Sequence, residues 1–365
     1  MGNAYIAVKV LLDGLGLDYY MPPVADRLAF ERGIEHSPEF MCLPFKTILG
    51  NFLDGLDHGA DTILFGGGCG QCRLSYYGDL HQEILHSMGY RFEYIDLALN
   101  HLTYKEVMTK FGPFIKGVHK TTVIKAVTQA AWTVFAVDGM YQLAAHVRPR
   151  EVKKGSADAI IQKFEQRVQR ERGFKTIKQA LENAKRSLHE VTLNPGAHPM
   201  KIGVIGEIFI ASEPFCNLEI EKKLGNMGAD VVNTMSIAMW IKHHFIEAML
   251  PIHGKDKVLD AALPYIHTAD VGGHGVNTVG NAELLSRQGI DGIVHIYPFT
   301  CMPEIIAQTA FRAIEQKHGV PIMTLIVDEM TAEAGYITRL EAFTDMLDMR
   351  RTSKAKLKSA AAVKV

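Results

Sequence analysis

Residues 60–95 read as a strand, a glycine-rich break, a helix and a second strand, and that order confines the chain to an α/β architecture. The apolar run Ala60–Phe65 suits a strand buried in a parallel sheet. Gly66, Gly67, Gly68 and Gly70 break it, residues 73–88 follow with helical spacing, and Arg91–Ile95 is the next strand. The chain has five cysteines, and each lies in a Pro/Gly-rich stretch just before a predicted helix. The contexts are CLPFK (42–46), GGGCGQCR (66–73), EPFCN (213–217) and PFTCMPE (298–304). Thiols so placed suit a soft metal centre, because the positive end of a helix favours thiolate and lowers a cysteine pKa.

Further elements follow from periodicity and breakers. Tyr5–Leu12 fits a short helix or a strand, and 44–56 a helix with Pro44 in its first turn, where the missing N–H needs no partner. Residues 103–194 are mostly helical in pattern. A second α/β unit starts at Lys201, with strands at Ile202–Ile205, Val231–Val232, Ile293–Tyr297 and Ile322–Val327. Helices are expected at Leu218–Met227, from Pro303 to about Lys317, and at Thr338–Leu347. The expected division is an N-terminal α/β cluster-binding lobe over 1–150, a helical bridge over 151–199, a C-terminal α/β lobe over 200–350 and a charged, solvated tail over 351–365. Lys354, Lys356, Lys358 and Lys364 mark that tail.

Composition narrows the function. A hydrophobic content of 47% with 22% charged residues is that of a soluble globular protein. Lys plus Arg number 39 against 40 for Asp plus Glu, so there is no broad basic field for nucleic acid. Lys9 and Asp13 interrupt the apolar stretch Ile6–Leu17, which argues against a secretory leader, and no run reaches a membrane span. A cytoplasmic location is expected, and there the cysteines are buried residues, reactive thiols or ligands rather than a disulfide scaffold.

Cys69 and Cys72 form a CxxC pair, open to metal binding, thiol exchange or packing. Cys42 precedes Pro44 and Cys301 precedes Pro303 in the same arrangement. Four thiolates from Cys42, Cys69, Cys72 and Cys301 would suit one 4Fe-4S cluster or tetrahedral zinc, and spacing alone does not choose. Cys216 fits a ligand, a thiol beside the centre or a small residue in a bend. Arg73 can balance charge nearby, and Glu207, Glu213 and Asn217 form a polar rim around Cys216.

Three further groups are candidates. The glycine-broken loop 267–281 carries His267, His274, Asn277 and Thr278. His295 and Tyr297, two apart on one strand, share a face. Asp328, Glu329 and Glu333, with Arg339 at hand, suit either a proton-transfer carboxylate or a salt-bridged helix start. The P-loop, the GxSxG elbow, HExxH and a Rossmann GxGxxG in strand-to-helix context are absent.

The blocks SPEFMCLPFK (37–46), ADTILFGGGCGQCR (60–73), GEIFIASEPFCN (206–217), VHIYPFTCMPE (294–304) and DEMTAEAGYITRLEAF (328–343) span nearly the whole chain. With them the chain resembles the 2-hydroxyacyl-CoA dehydratase D-component and double-cubane-cluster superfamily, nearest to its stand-alone members related to acyl-CoA dehydratase activases. The resemblance implies two flavodoxin-like (Rossmannoid) lobes with parallel sheets, a largely helical bridging segment and a cluster between the lobes. It assigns Cys42, Cys69, Cys72 and Cys301 as ligands of an iron–sulfur cluster, a 4Fe-4S cluster first and an 8Fe-9S double cubane as the alternative. Arg73, Glu213, Cys216, His274 and Tyr297 would surround them and tune the centre.

The family's activase ATPase motif is absent, so the chain would accept electrons from a separate ATP-hydrolysing iron–sulfur activase. The implied function is a low-potential iron–sulfur reductase or electron-transfer component, as a homodimer. The alternatives are a radical 2-hydroxyacyl-CoA dehydratase component, acting on an acyl-CoA rather than a small molecule, and a non-catalytic cluster carrier or scaffold.

Overall fold

A computed structural model describes residues 2–22, 27–67, 72–96, 109, 111–242, 256–267 and 271–362, with the backbone alone over 354–362. Cys69, Gly68, Gly70, Lys364 and part of the helical stretch expected over 103–194 lie outside the described residues. The first helices are α1 (Ala4–Leu15), α2 (Arg27–Glu35) and α3 (Leu43–Asp57). Strand β1 (Thr62–Phe65), α4 (Leu74–Ser87) and β2 (Glu93–Asp96) follow, and β1 and β2 pair in parallel with Thr62 opposite Glu93. The expected α/β unit is present, its strands starting two residues later than the apolar runs suggest.

Next come α5 (Lys120–Val147), α6 (Ser156–Arg170) and α7 (Phe174–His189). Their apolar stripes close on α1 in one core, where Ile6 and Val10 meet Met140, Phe164, Ile177 and Leu181. Tyr5–Leu12 is therefore helical, and its partners lie more than a hundred residues along the chain. That distance explains why its short apolar run could not decide between helix and strand.

The second α/β unit contains β3 (Met200–Gly206), α8 (Ile208–Ser212), α9 (Ile220–Asn226), β4 (Ala229–Asn233), α10 (Ile237–Ile241), α11 (Lys257–Ala262) and α12 (Gly275–Arg287). It continues through β5 (Gly292–Pro298), α13 (Met302–His318), β6 (Ile322–Val327) and α14 (Glu333–Ala362). The four strands are parallel in the order β4-β3-β5-β6, a Rossmannoid-like topology with helices on both faces. On one face Ile202, Val204, Val294 and Ile296 pack under Leu340 and Phe343 of α14. On the other, Ile205 and Ile293 pack under Val279 of α12 and Phe311 of α13. Burying each such side chain stabilises the fold by about 1.5–3 kcal/mol.

The charged tail expected over 351–365 is helical as far as it is described. Helix α14 carries on through it to Ala362, because the Ala, Lys and Leu of TSKAKLKSAAA are strong helix formers and no breaker intervenes. No helix among the described residues is long and apolar enough to cross a membrane.

A buried ionic cluster fixes α12 against α13 behind the sheet. Glu283 is fully buried and accepts hydrogen bonds from Tyr265 (2.7 Å), Arg287 (2.8 Å) and Lys317 (2.9 Å), with the His318 ring nitrogen also 2.9 Å away. Burial opposes the charge, but Lys317, Tyr265, Arg287 and His318 together hold the Glu283 pKa at about 2. A carboxyl depressed from 4.5 stabilises the fold fully above that value, and the contribution disappears as pH falls toward 2. Glu283→Gln is expected to cost about 2 kcal/mol at neutral pH. Urea unfolding at several pH values should also show a shallower loss of stability on the acid side than in the unaltered protein.

Candidate metal centre

The strand order of the second sheet decides where a ligand can sit. Chain order runs outward from β3 to β4 and then from β5 to β6, so the winding reverses between β3 and β5. At such a reversal the connections leaving the carboxyl ends diverge and leave a crevice. Gly206 ends β3 there with φ of +132°, and a Cβ on it would lie 1.9 Å from the Ile296 carbonyl oxygen. Only glycine allows β3 to run this close to β5 and then turn into Glu207. Beside it, β5 ends at Pro298, and Cys301 begins α13 three residues later.

Three thiols at three helix starts lie within electrostatic reach of Glu207 at this edge. Cys42 is the N-cap of α3, with Pro44 in the first turn, and Cys301 is the N-cap of α13, with Pro303 in its first turn. Cys72 lies two residues before α4. Cys72 and Cys301 influence each other electrostatically, Tyr77 feels both Cys42 and Cys72, and Glu207 acts on all three cysteines. The Tyr77 hydroxyl hydrogen-bonds the Cys42 sulfur. Among the described residues no three His, Cys, Asp or Glu side chains stand as a ready metal-ion set.

Arg73 ties the two halves of the site together. Its Nη1 donates to the Phe40 carbonyl at 3.2 Å, and its Nη2 donates to the carbonyl (3.1 Å) and hydroxyl (2.6 Å) oxygens of Thr300. One guanidinium thus spans the loops before Cys42 and before Cys301, a use for which its fork of donors suits it. Thr300 has a left-handed backbone, φ of 69°, which is costly for a β-branched residue and is offset here by the two Arg73 contacts. Lys46, buried, pairs with Glu329 across the same boundary.

The loop before α12 closes another side. A Cβ on Gly273, whose φ is +51°, would lie 3.0 Å from the Pro303 ring and 3.9 Å from the Cys72 Cβ. His274 follows as the N-cap of α12. Thr278, on the first turns of that helix, donates to Glu304 at 3.2 Å, and Glu304 lies 2.8 Å from His295 Nε2. All three are fully buried, so this network fixes the first turn of α13 and with it Cys301.

The remaining candidates divide: Tyr297 feels Cys301 and Cys216 feels Glu207, while the others make structural contacts. Tyr297 is on the same strand face as His295, ring centres 4.9 Å apart, and accepts from Gln308 at 3.0 Å. Cys216 lies in the apolar core, 3.5 Å from the Thr47 hydroxyl. Glu213 is buried and accepts from the Gly2 N–H at 2.8 Å. Asn217 donates to the Ile210 carbonyl at 2.8 Å, a bend-forming role. His267 and Asn277 show no role at the thiol edge. Asp328 caps its own turn by accepting from Met330 N–H and the Thr331 hydroxyl, while Glu329 pairs with Lys46 and Glu333 with Lys223 rather than with Arg339. These carboxylates follow the salt-bridged reading.

Electrostatics correct one expectation. Helix starts were expected to lower the cysteine pKa values, yet all four described cysteines are raised. Burial lifts Cys42 to about 11 despite the Tyr77 hydroxyl, the Phe45 N–H and Arg73. Burial also lifts Cys72, and it lifts Cys301 further, aided by Glu304 and Glu207. Desolvation outweighs the partial charge of a helix end. Glu207 is likewise pushed up to about 7 by burial, against the N–H groups of Ile210 and Phe209 that it caps. Tyr77, Glu207 and Glu304 were the residues the sequence did not single out for this edge. Glu304 alone left a local sign, a carboxylate three residues after an N-cap.

No protein-family model matches the chain, and no curated protein matches it.

In metal-free protein, alkylation of Cys42 by iodoacetamide should be slow near neutral pH and rise with an apparent pKa of about 11. Tyr77→Phe removes a donor that favours the thiolate, so the rise should move to still higher pH. Peptide mass spectrometry of the labelled protein checks both outcomes.

Proposed function

We propose that the chain is a low-potential iron–sulfur reductase or electron-transfer component served by a separate ATP-hydrolysing iron–sulfur activase. The observation that supports this reading is that Cys42, Cys72 and Cys301, each at a helix start, all lie within electrostatic reach of Glu207 at one sheet edge. In this reading the two α/β units are flavodoxin-like lobes and the cluster lies between them. The donor set is made of soft thiols, which suits iron–sulfur chemistry better than a hard cation. Cys42, Cys69, Cys72 and Cys301 would hold a 4Fe-4S cluster, which when bound supplies one-electron chemistry at low potential.

The chain's own groups have definite tasks around it. Arg73 holds the two ligand-bearing loops together and offsets thiolate charge. The Tyr77 hydroxyl is hydrogen-bonded to the Cys42 sulfur and would donate to it as a thiolate, a bond of the kind that tunes a cluster. Glu207 carries a proton on its carboxyl for part of the time near neutral pH, beside all three thiols. The resemblance adds a homodimer and a small-molecule substrate to the same reading.

Anaerobic purification and reconstitution, followed by iron and sulfide assay and EPR of the dithionite-reduced protein, tests it. The unaltered protein should bind about four irons per chain and give a reduced-cluster signal. The combined Cys42→Ala, Cys72→Ala and Cys301→Ala variant should bind none while keeping its circular dichroism spectrum. Folded, unaltered protein without iron under these conditions would overturn the assignment, and so would zinc bound in its place.

A further inference from the structure

A cavity of about 530 Å³ lies between the helical unit of α1, α5 and α6 and the β4 side of the second sheet. A volume of this size is typical of small-molecule sites. Its lining is unbalanced in charge, with five carboxylates against two cations. Both cations are already engaged: Arg148 Nε donates to Asp158 at 2.7 Å, and Lys222 Nζ lies 2.9 Å from Glu219.

Asp138, Glu165 and Glu221 are left with neutral donors. Gln142 donates to Asp138 at 2.7 Å, Tyr141 to Glu165 at 2.6 Å and Asn233 to Glu221 at 2.6 Å. The Tyr5 hydroxyl, also in the lining, is buried without a hydrogen-bond partner among the described residues. Burial raises the pKa of all three carboxyls, although Lys222 acts on Glu165 and Arg148 on Glu221 in the opposite sense. The carboxylates come from α5, α6 and α9, and no group of three among the described residues is close enough to hold a single metal ion. A ligand adding positive charge here would therefore spread it over several ångströms and bring hydrogen-bond donors at separate points.

We propose that this cavity binds a linear organic cation with two or more ammonium groups, a diamine or polyamine. One ammonium group bonds Glu165 beside the Tyr5 hydroxyl, and a second is shared between Asp138 and Glu221. Charge-assisted hydrogen bonds of this kind are the strong ones. The site is independent of any metal at the thiol edge.

Isothermal titration calorimetry on the full chain at low ionic strength tests the proposal, with 1,4-diaminobutane and spermidine as probes and 1-aminobutane and magnesium chloride as comparators. At least one of the two probes should bind saturably at one site per chain, and 1-aminobutane should bind about tenfold or more weakly. Glu165→Gln and Glu221→Gln should each weaken binding by about tenfold or more. Both variants relieve repulsion in the free protein, so their melting temperatures should be unchanged or higher, which separates lost binding from lost folding. Absence of saturable binding by both probes up to about 1 mM, equal affinity in the Glu165→Gln/Glu221→Gln double variant, or magnesium binding as tight as the amines would overturn it.

Discussion

The parallel pairing of β3 with β5 is the constraint on which the thiol edge depends. Because the two strands run the same way, Gly206 and Pro298 end at one side of the sheet, and the chain leaves each toward a helix start. The absence of a side chain at Gly206 lets the pair stay in register to the last residue. Glu207 and Cys301 are therefore neighbours by topology, although nearly a hundred residues separate them in sequence. The first α/β unit brings Cys42 and Cys72 to the same edge, and Arg73 joins it to the second through backbone oxygens that no substitution can remove.

Charge in this region is managed by burial more than by pairing. Thiols, Glu207 and Glu304 are gathered with Arg73 the cation acting directly on Cys42 and Cys72, and desolvation raises the pKa of the thiols and of Glu207. Removing water raises the cost of every uncompensated charge, so such a site is stable while neutral and responsive when a positive centre arrives. The buried His295–Glu304–Thr278 network does the opposite work, filling its hydrogen bonds internally and holding its helix start rigid.

The strands and the helix starts were legible because their signals are local. Continuous apolar runs marked β5 and β6, and Cys-x-Pro marked α3 and α13 within a residue or two. The sense of α1 was not legible, because its short run gains meaning only against α5–α7. The partners of the thiols were hidden for the same reason. Tyr77 reaches Cys42 from another helix, and Arg73 selects Thr300 from a loop more than two hundred residues away. The sign of the cysteine pKa values failed differently: helix-end charge can be read locally, whereas desolvation is a property of the finished packing.

Helix α14 gives the C-terminal end an unexpected mechanical character. Thirty residues at 1.5 Å rise each make a rod about 45 Å long. Tyr336, Leu340, Phe343 and Leu347 clamp its first half to the sheet. Lys354, Lys356 and Lys358 are thus carried on a continuous helix rather than a loose tether. A reporter dye attached near position 360 would sample a narrow range of distances from the sheet, set by the anchored turns.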